Sequence, residues 1–170
     1  MSGELVVIAL GGNAIKQSDQ EGTTEEQFAN VDKTAMQLAH IVKAGYRPVV
    51  THGNGPQAGS LLIQQEEARD LVPAQSLAVC GAMTQGQIGW MMQNRTDYRL
   101  KELKIDKAIC SVVTQVEVSS DDPDFEDPSK PVGPFYTEEE ARKLKEEKGY
   151  VVKEVKPGTE KGWRRVVPSP

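Results

Sequence analysis

The sequence has little of several features that would place a protein in a specialised class. Its 170 residues include two cysteines, Cys80 and Cys110, and neither lies in a CxxC motif, so we expect free thiols rather than disulfides or a metal site. No apolar run approaches the roughly 18 residues of a membrane-spanning helix, and the first residues lack a signal-peptide pattern. These absences predict a cytoplasmic protein with no membrane partner.

A surplus of positive charge is also missing. The formal net charge is −5, whereas a nucleic-acid-binding protein needs Lys and Arg to displace the counterions of phosphates. Apolar residues make up 38% of the chain and charged residues 26%, which is typical of a globular protein. We therefore expect no nucleic-acid partner and look for small ligands.

What the chain does have is two glycine-rich turns, each directly after a hydrophobic strand. Residues 4–10 lead into Gly11-Gly12-Asn13, and residues 47–51 lead into His52-Gly53-Asn54-Gly55-Pro56. Such turns expose backbone N–H groups where a helix is about to start, and α/β proteins hold phosphates and other anions in this way. A tight turn without a ligand is the alternative. Two turns that each carry an Asn favour an anion site.

The spacing of apolar residues predicts helices that connect parallel strands. Thr24 to Gln27 has the form of a capping box, and the helix that follows should end at Gly45. We predict two further helices and a third strand, at residues 57–70, 76–103 and 108–113. Glycines at 81, 86 and 89 weaken the longest helix and indicate close packing or a ligand.

The composition changes after Gln115. Residues 117–128 are acidic and contain no basic residue, which predicts a solvated, turn-rich segment. A short helix capped by Thr137 follows, and together these features indicate a small subdomain. Within it, Lys130 stands on a loop that prolines at 128 and 131 stiffen. By residue counts alone, Lys130 is a surface lysine that balances nearby aspartates.

Motifs in the sequence give little support on their own for a nucleotide-binding site. Gly53-x-Gly55-x-x-Ala58 matches the relaxed dinucleotide fingerprint, but residues 72–78 lack the acidic strand end that would hold the ribose. A P-loop is excluded because GxxxxGK[ST] does not occur. A dinucleotide-binding domain therefore remains the weakest alternative.

Five sequence blocks together carry a more specific signal. In order, they are residues 8–15, 52–57, 82–86, 128–135 and 162–170. They resemble carbamate kinase, a branch of the amino-acid kinase superfamily. The resemblance covers this chain but only the N-terminal half of the family's enzyme. It implies a three-layer α/β/α sandwich with a mainly parallel sheet and a small protruding subdomain.

The resemblance also implies a division of the chain. Residues 1–116 would form the lobe that binds carbamate or carbamoyl phosphate, residues 117–161 a protruding lid, and residues 162–170 a return into the main lobe. The nucleotide-binding C-terminal lobe would be absent from this chain. Family members act as homodimers joined through this half.

The implied reaction is reversible phosphoryl transfer between MgATP and carbamate, often toward ATP in arginine catabolism. Mg²⁺ would accompany ATP or ADP, with no metal ligand expected in this chain. The resemblance assigns substrate binding to the two turns and a catalytic charge to the lid lysine; these residues are Gly11, Gly12, Asn13, Gly53, Asn54, Gly55 and Lys130. Many amino-acid kinases carry a lysine where this chain has Ala9, so Lys130 would supply the missing charge.

One departure from the family pattern is the stretch from Lys156 to Glu160, which lacks the expected acidic residue followed by glycine. We expect that this chain alone binds an anion but does not turn over. A non-catalytic module that only self-associates is the alternative from a different functional class.

Overall fold

The computed structural model describes residues 3–169, which form two compact units. The first unit contains the residues up to 58 and residues 78–114, and the second contains residues 59–77 and those from 115 onward. The regular elements, in chain order, are β1 (Leu5–Leu10), α1 (Thr24–Lys43), β2 (Arg47–His52), α2 (Gly55–Glu67), α3 (Leu77–Glu102), β3 (Lys130–Tyr136), α4 (Glu138–Lys148), β4 (Val152–Glu154) and β5 (Trp163–Val167).

The first unit is built on a parallel pair of strands. β1 pairs with β2 from Leu5 opposite Arg47 to Leu10 opposite His52. Apolar side chains of α1 and α3 pack together with Ile15, which follows β1, and strand residues pack against this core. Its buried members are Ile15, Val31, Leu38, Ile88, Met91 and Met92. The predicted α/β class with a parallel sheet is confirmed.

The N-cap of helix α1 lies one residue before the predicted N-cap, Thr24. Thr23 caps the helix: its hydroxyl accepts from the N–H of Glu26, and the Glu26 carboxylate accepts from the N–H of Thr23 at 3.0 Å. A capping box that starts at Thr23 and one that starts at Thr24 both fit the sequence. The second box would need the side chain of Gln27, which instead donates to Gly22 O at 2.7 Å. The predicted stop is confirmed, since Gly45 has φ +98°.

The predicted third strand at residues 108–113 is wrong. No strand is present there, and side chains of α3 bind the segment instead of a neighbouring strand. The side chain of Gln93 donates to Ile109 O at 3.1 Å, and the side-chain oxygen of Gln85 accepts from the N–H of Thr114 at 2.8 Å. The hydrophobic run therefore marks an extended segment without a backbone ladder.

Helix α3 shows why one of its glycines is required. A Cβ at Gly89 would lie 2.9 Å from Ser111 Cβ, whereas Gly81 and Gly86 have no such neighbour within 4 Å. Close packing therefore explains Gly89, where Ser111 also donates to the backbone carbonyl at 2.9 Å. Although α3 has 26 residues, neither it nor any other described helix is long and apolar enough to cross a membrane.

The second unit contains an antiparallel sheet in the order β3-β5-β4. The two prolines of β3 are tolerated because β3 is an edge strand. The predicted cap of α4 is confirmed: Thr137 and Glu140 form a capping box, and Gly149 ends the helix with φ +66°. Lys148 of α4 forms an ion pair with Glu66 of α2 inside this unit.

A charge cluster ties α1 to α3 in the first unit. The Asp32 carboxylate accepts from Nε of Arg95 at 2.8 Å and from Nε of Arg99 at 3.1 Å. The hydrogen bond from Arg99 is the main cause that holds the pKa of Asp32 below its usual value, against the opposing effect of burial. The Arg95 guanidinium also stacks over the ring of Tyr98 at 4.5 Å. These contacts fix the two helices against each other.

We predict that Asp32→Asn lowers the free energy of unfolding by about 1–3 kcal/mol at pH 7, because it leaves two guanidinium groups without their carboxylate. A depressed carboxyl pKa stabilises the fold above the unfolded value of about 3.9, and this contribution is lost as the pH falls through the folded value. The difference between the two proteins in urea unfolding should therefore shrink below about pH 4. Asp97→Asn, which removes only an exposed pair with Lys101, is the control.

Candidate functional site

The two glycine-rich turns lie next to each other at one end of the parallel strand pair. Leu10 and His52, the last residues of β1 and β2, are opposite each other in the register. The backbone N–H of Gly53 donates to Leu10 O at 3.3 Å and joins the start of one turn to the end of the other strand. Because the two strands are neighbours, their turns lie side by side at the same edge of the strand pair.

The first turn leaves donors available. Its hydrogen bonds start with the N–H of Ala14, which donates to Gly11 O at 3.0 Å. The N–H groups of Gly12 and Asn13 precede this bond and are therefore not used by the turn. The side chain of Asn13 is exposed and makes no hydrogen bond within residues 3–169. The first turn thus has backbone and amide donors that no described residue uses.

Neither turn needs glycine for its backbone conformation. None of Gly11, Gly12, Gly53 and Gly55 has a positive φ. An added Cβ would meet nothing within 4 Å at Gly11, Gly53 or Gly55, and only Pro56 Cδ at 4.0 Å at Gly12. Strain and crowding within the described chain therefore do not explain these glycines. A tight turn without a ligand would need glycine for its backbone conformation or for lack of space, and neither reason applies. The space in front of the turns is open to a ligand.

The second turn is held by side-chain hydrogen bonds. Asn54 Nδ2 donates to the hydroxyl of Thr84 at 2.8 Å, and Thr84 is fully buried in α3. His52 Nδ1 lies 3.0 Å from Gly53 O and donates to it, so this ring has a structural partner. The backbone carbonyl of Asn54 accepts from Ala58 N at 2.9 Å and starts α2.

Buried amide side chains of α1 anchor both turns, and sequence reasoning missed them. Asn30 donates to Ile15 O at 3.1 Å, just after the first turn. Gln57 follows the second turn and donates to Gln27 at 3.0 Å. Gln27 and Asn30 fall on the helix face that also buries Val31, and amides on an apolar face were the signal available in the sequence.

Lys130 belongs to the second unit, whereas the six predicted substrate-binding residues belong to the first. It is the first residue of β3, opposite Val167, rather than part of a loop as predicted. Its side chain is exposed, and no carboxylate pairs with it among residues 3–169. Its charge is therefore free to meet an anion.

The described residues do not fit a resident metal ion. Residues 3–169 contain no group of three or more His, Cys, Asp or Glu side chains placed to hold one. Mg²⁺ takes oxygen ligands, usually one or two carboxylates together with nucleotide phosphates. The glycine turns supply N–H donors instead, which suit an anion.

Comparisons with a family model and with individual proteins point to the same family. The model of the Amino acid kinase family matches residues 4–151. The chain is 51% identical to a carbamate kinase from Pyrococcus horikoshii over 169 residues, which is 98% of this chain and 53% of that protein. It is 45% identical to carbamate kinase 2 from Staphylococcus aureus, with 98% of this chain and 52% of that protein covered.

A solved structure extends the similarity to the fold. Carbamate kinase from Giardia lamblia bound to AMP-PNP matches with a TM-score of 0.89 and 44% identity, covering 99% of this chain and 52% of that one. The chain therefore has the predicted fold and spans about half the length of the relatives it matches.

We predict that Gly53→Ala leaves the fold intact but weakens the binding of inorganic phosphate about tenfold or more. The methyl group meets no protein atom, so unfolding should change by less than about 1 kcal/mol. It occupies the space in which an anion would reach the backbone N–H groups. Calorimetry and thermal melting measure the two effects. Gly59→Ala is the control because it also adds a methyl group in open space, but within α2. Equal phosphate affinity in all three proteins would contradict the assignment.

Proposed function

The chain belongs to the amino acid kinase family, and on this premise we propose that it carries the carbamoyl-phosphate side of a carbamate kinase. The reaction is the reversible transfer of a phosphoryl group between ATP and carbamate, which gives carbamoyl phosphate and ADP. A cytoplasmic role in arginine catabolism, in the direction of ATP, follows from the same proposal. The carbamate kinases that are 51% and 45% identical to this chain support carbamate as the substrate.

The observation that carries the proposal is the pair of adjacent glycine turns with open space before them. Phosphoryl transfer needs little covalent chemistry from the protein, because positioning and neutralisation of charge lower the barrier. Carbamate is already an anion, so its attack on a phosphoryl group requires no general base. The unused N–H donors of the first turn, together with those at the start of α2, suit this requirement.

We assign the two ends of the substrate to different turns. Gly11, Gly12 and Asn13 donate to the transferred phosphoryl group, and the second turn, with Gly53, Asn54 and Gly55, holds the carbamoyl end. Both turns are anchored to α1, so the donors are in place before the ligand binds. Such preorganised donors stabilise the charge that develops in the transition state.

Lys130 is the proposed catalytic cation. Ala9 stands in β1 where many amino-acid kinases have a lysine, so the first unit lacks that charge. Lys130 is exposed and has no carboxylate partner in the described chain, which supports a role with an anionic ligand. Residues 117–161 would act as the lid that delivers it, and residues 1–116 as the lobe it covers.

We propose that ATP or ADP, with its Mg²⁺, is held mostly by polypeptide outside this chain. The relatives are about twice as long, and the described residues offer no carboxylate cluster for the metal. No step assigned to these residues uses the metal. The active form would be a homodimer joined through this half.

The test is whether the purified chain binds carbamoyl phosphate without turning it over. We expect calorimetry to detect binding, and a coupled assay with ADP to detect no ATP above background. Lys130→Met should weaken binding about five- to tenfold, because a charge-assisted contact is lost. Turnover comparable to that of a relative of full length would contradict the division of the site.

The matched control is Lys161→Met, which removes another exposed lysine of the same unit that forms no ion pair in the described chain. It should bind carbamoyl phosphate as the parent does. Equal losses of affinity in both variants would show that Lys130 contributes only general positive charge.

A second candidate function is self-association without catalysis. One face of the parallel pair is apolar and open: Val7 is 70% exposed, and Val49 opposite it is 46% exposed. Parallel strands normally have both faces covered, and exposed apolar patches often mark interaction surfaces. This observation favours association, either with another polypeptide or with a second copy.

We predict that the chain associates as its concentration rises and that Val7→Lys suppresses this association, because a charge on the exposed face opposes burial. Sedimentation velocity measures both proteins. Val151→Lys, at an exposed valine of the second unit, is the control and should associate as the parent does. A chain that associates but gives no heat with carbamoyl phosphate would favour the non-catalytic module.

A further inference from the structure

Thr84 is the buried partner of a residue that the proposed function places against the substrate. Its hydroxyl donates to Gly81 O at 2.7 Å, one helical turn earlier in α3. A hydroxyl has one proton, so this bond uses the only one. Toward Asn54, which lies 2.8 Å away, Thr84 Oγ1 therefore acts as an acceptor.

This arrangement fixes which way the Asn54 side-chain amide is turned. Only the NH₂ end of an amide can donate, so Nδ2 must face Thr84, and the opposite orientation would place two acceptors against each other. The carbonyl Oδ1 takes the other position. It accepts no hydrogen bond within residues 3–169, and Asn54 remains partly exposed. The second turn thus presents an oriented acceptor with no protein partner.

We propose that Thr84 is a positioning residue that turns the Asn54 carbonyl oxygen toward the ligand and so makes the site prefer a carbamoyl group to an acyl group. This inference rests on the proposed function, which assigns the carbamoyl end to the second turn. The NH₂ group of carbamoyl phosphate donates to Oδ1. The methyl group of acetyl phosphate offers no proton and covers the oxygen, which leaves a polar group unpaired.

The position of Thr84 suits this role. It is fully buried in α3, so it does not compete with the ligand for the turn, and its bond to Gly81 holds the hydroxyl in one rotamer. Thr84 lies within residues 82–86, one of the five sequence blocks that carry the family resemblance. The structure connects that block to the second glycine turn through a single hydroxyl.

The experiment compares the affinity of the full chain for carbamoyl phosphate and for acetyl phosphate by calorimetry. The parent should prefer carbamoyl phosphate by about tenfold, the value of one ordinary hydrogen bond. Thr84→Val keeps the shape but removes the acceptor, so Asn54 can rotate and the preference should fall toward one. Thr84→Ser restores the hydroxyl and should restore the preference. A merely structural role would weaken both ligands equally.

The matched control is Thr96→Val, which replaces another buried threonine of α3 and should leave the preference unchanged. Thermal melting establishes that each variant is folded, and Thr84→Ala serves in place of Thr84→Val if the latter unfolds. An unchanged preference in the folded hydroxyl-free variant would overturn the proposal. Binding of both ligands without preference in the parent would overturn it while leaving the proposed function standing. Binding of neither would overturn both.

Discussion

The parallel pairing of β1 with β2 is the constraint on which the rest of the first unit depends. This register ends with Leu10 opposite His52, and it therefore brings two separate turns to one edge. A shift by one residue would move every strand side chain to the opposite face and separate the turns from their anchors. The arrangement of donors in the proposed anion site consequently depends on the strand register rather than on either turn alone.

Helix α1 holds both turns in place. Its apolar face packs against the strands, while Gln27 and Asn30 on the same face bind the turns through buried amides. A buried N–H donor is costly unless it is satisfied, and the NH₂ groups of Asn30 and Gln57 find their acceptors only when the turns and the helix adopt this arrangement. The packing of the first unit and the geometry of the proposed site therefore depend on the same helix.

The sequence predicted these features to different degrees for physical reasons. The two strands, the helices and the cap at Thr137 follow from local periodicity and capping chemistry, and the structure confirms them. The sequence at Thr23 and Thr24 fits two overlapping capping boxes, and in the structure the side chain of Gln27 binds Gly22 O instead of closing the second box. Residues 108–113 have the composition of a strand, but a strand requires a neighbour, and composition does not reveal whether one is there. The roles of Asn30 and Thr84 depend on contacts between distant segments, which no local pattern contains.

The pairing of Leu5 with Arg47 joins positions about 40 residues apart, and such non-local contacts form slowly because a long loop must close first. The proposed anion site would be complete only after this closure, since neither turn has its neighbour before then. A ligand that binds only the closed pair stabilises it by mass action. Binding of phosphate at the proposed site would therefore stabilise the paired strands, and a phosphate-containing buffer should raise the melting temperature of this chain.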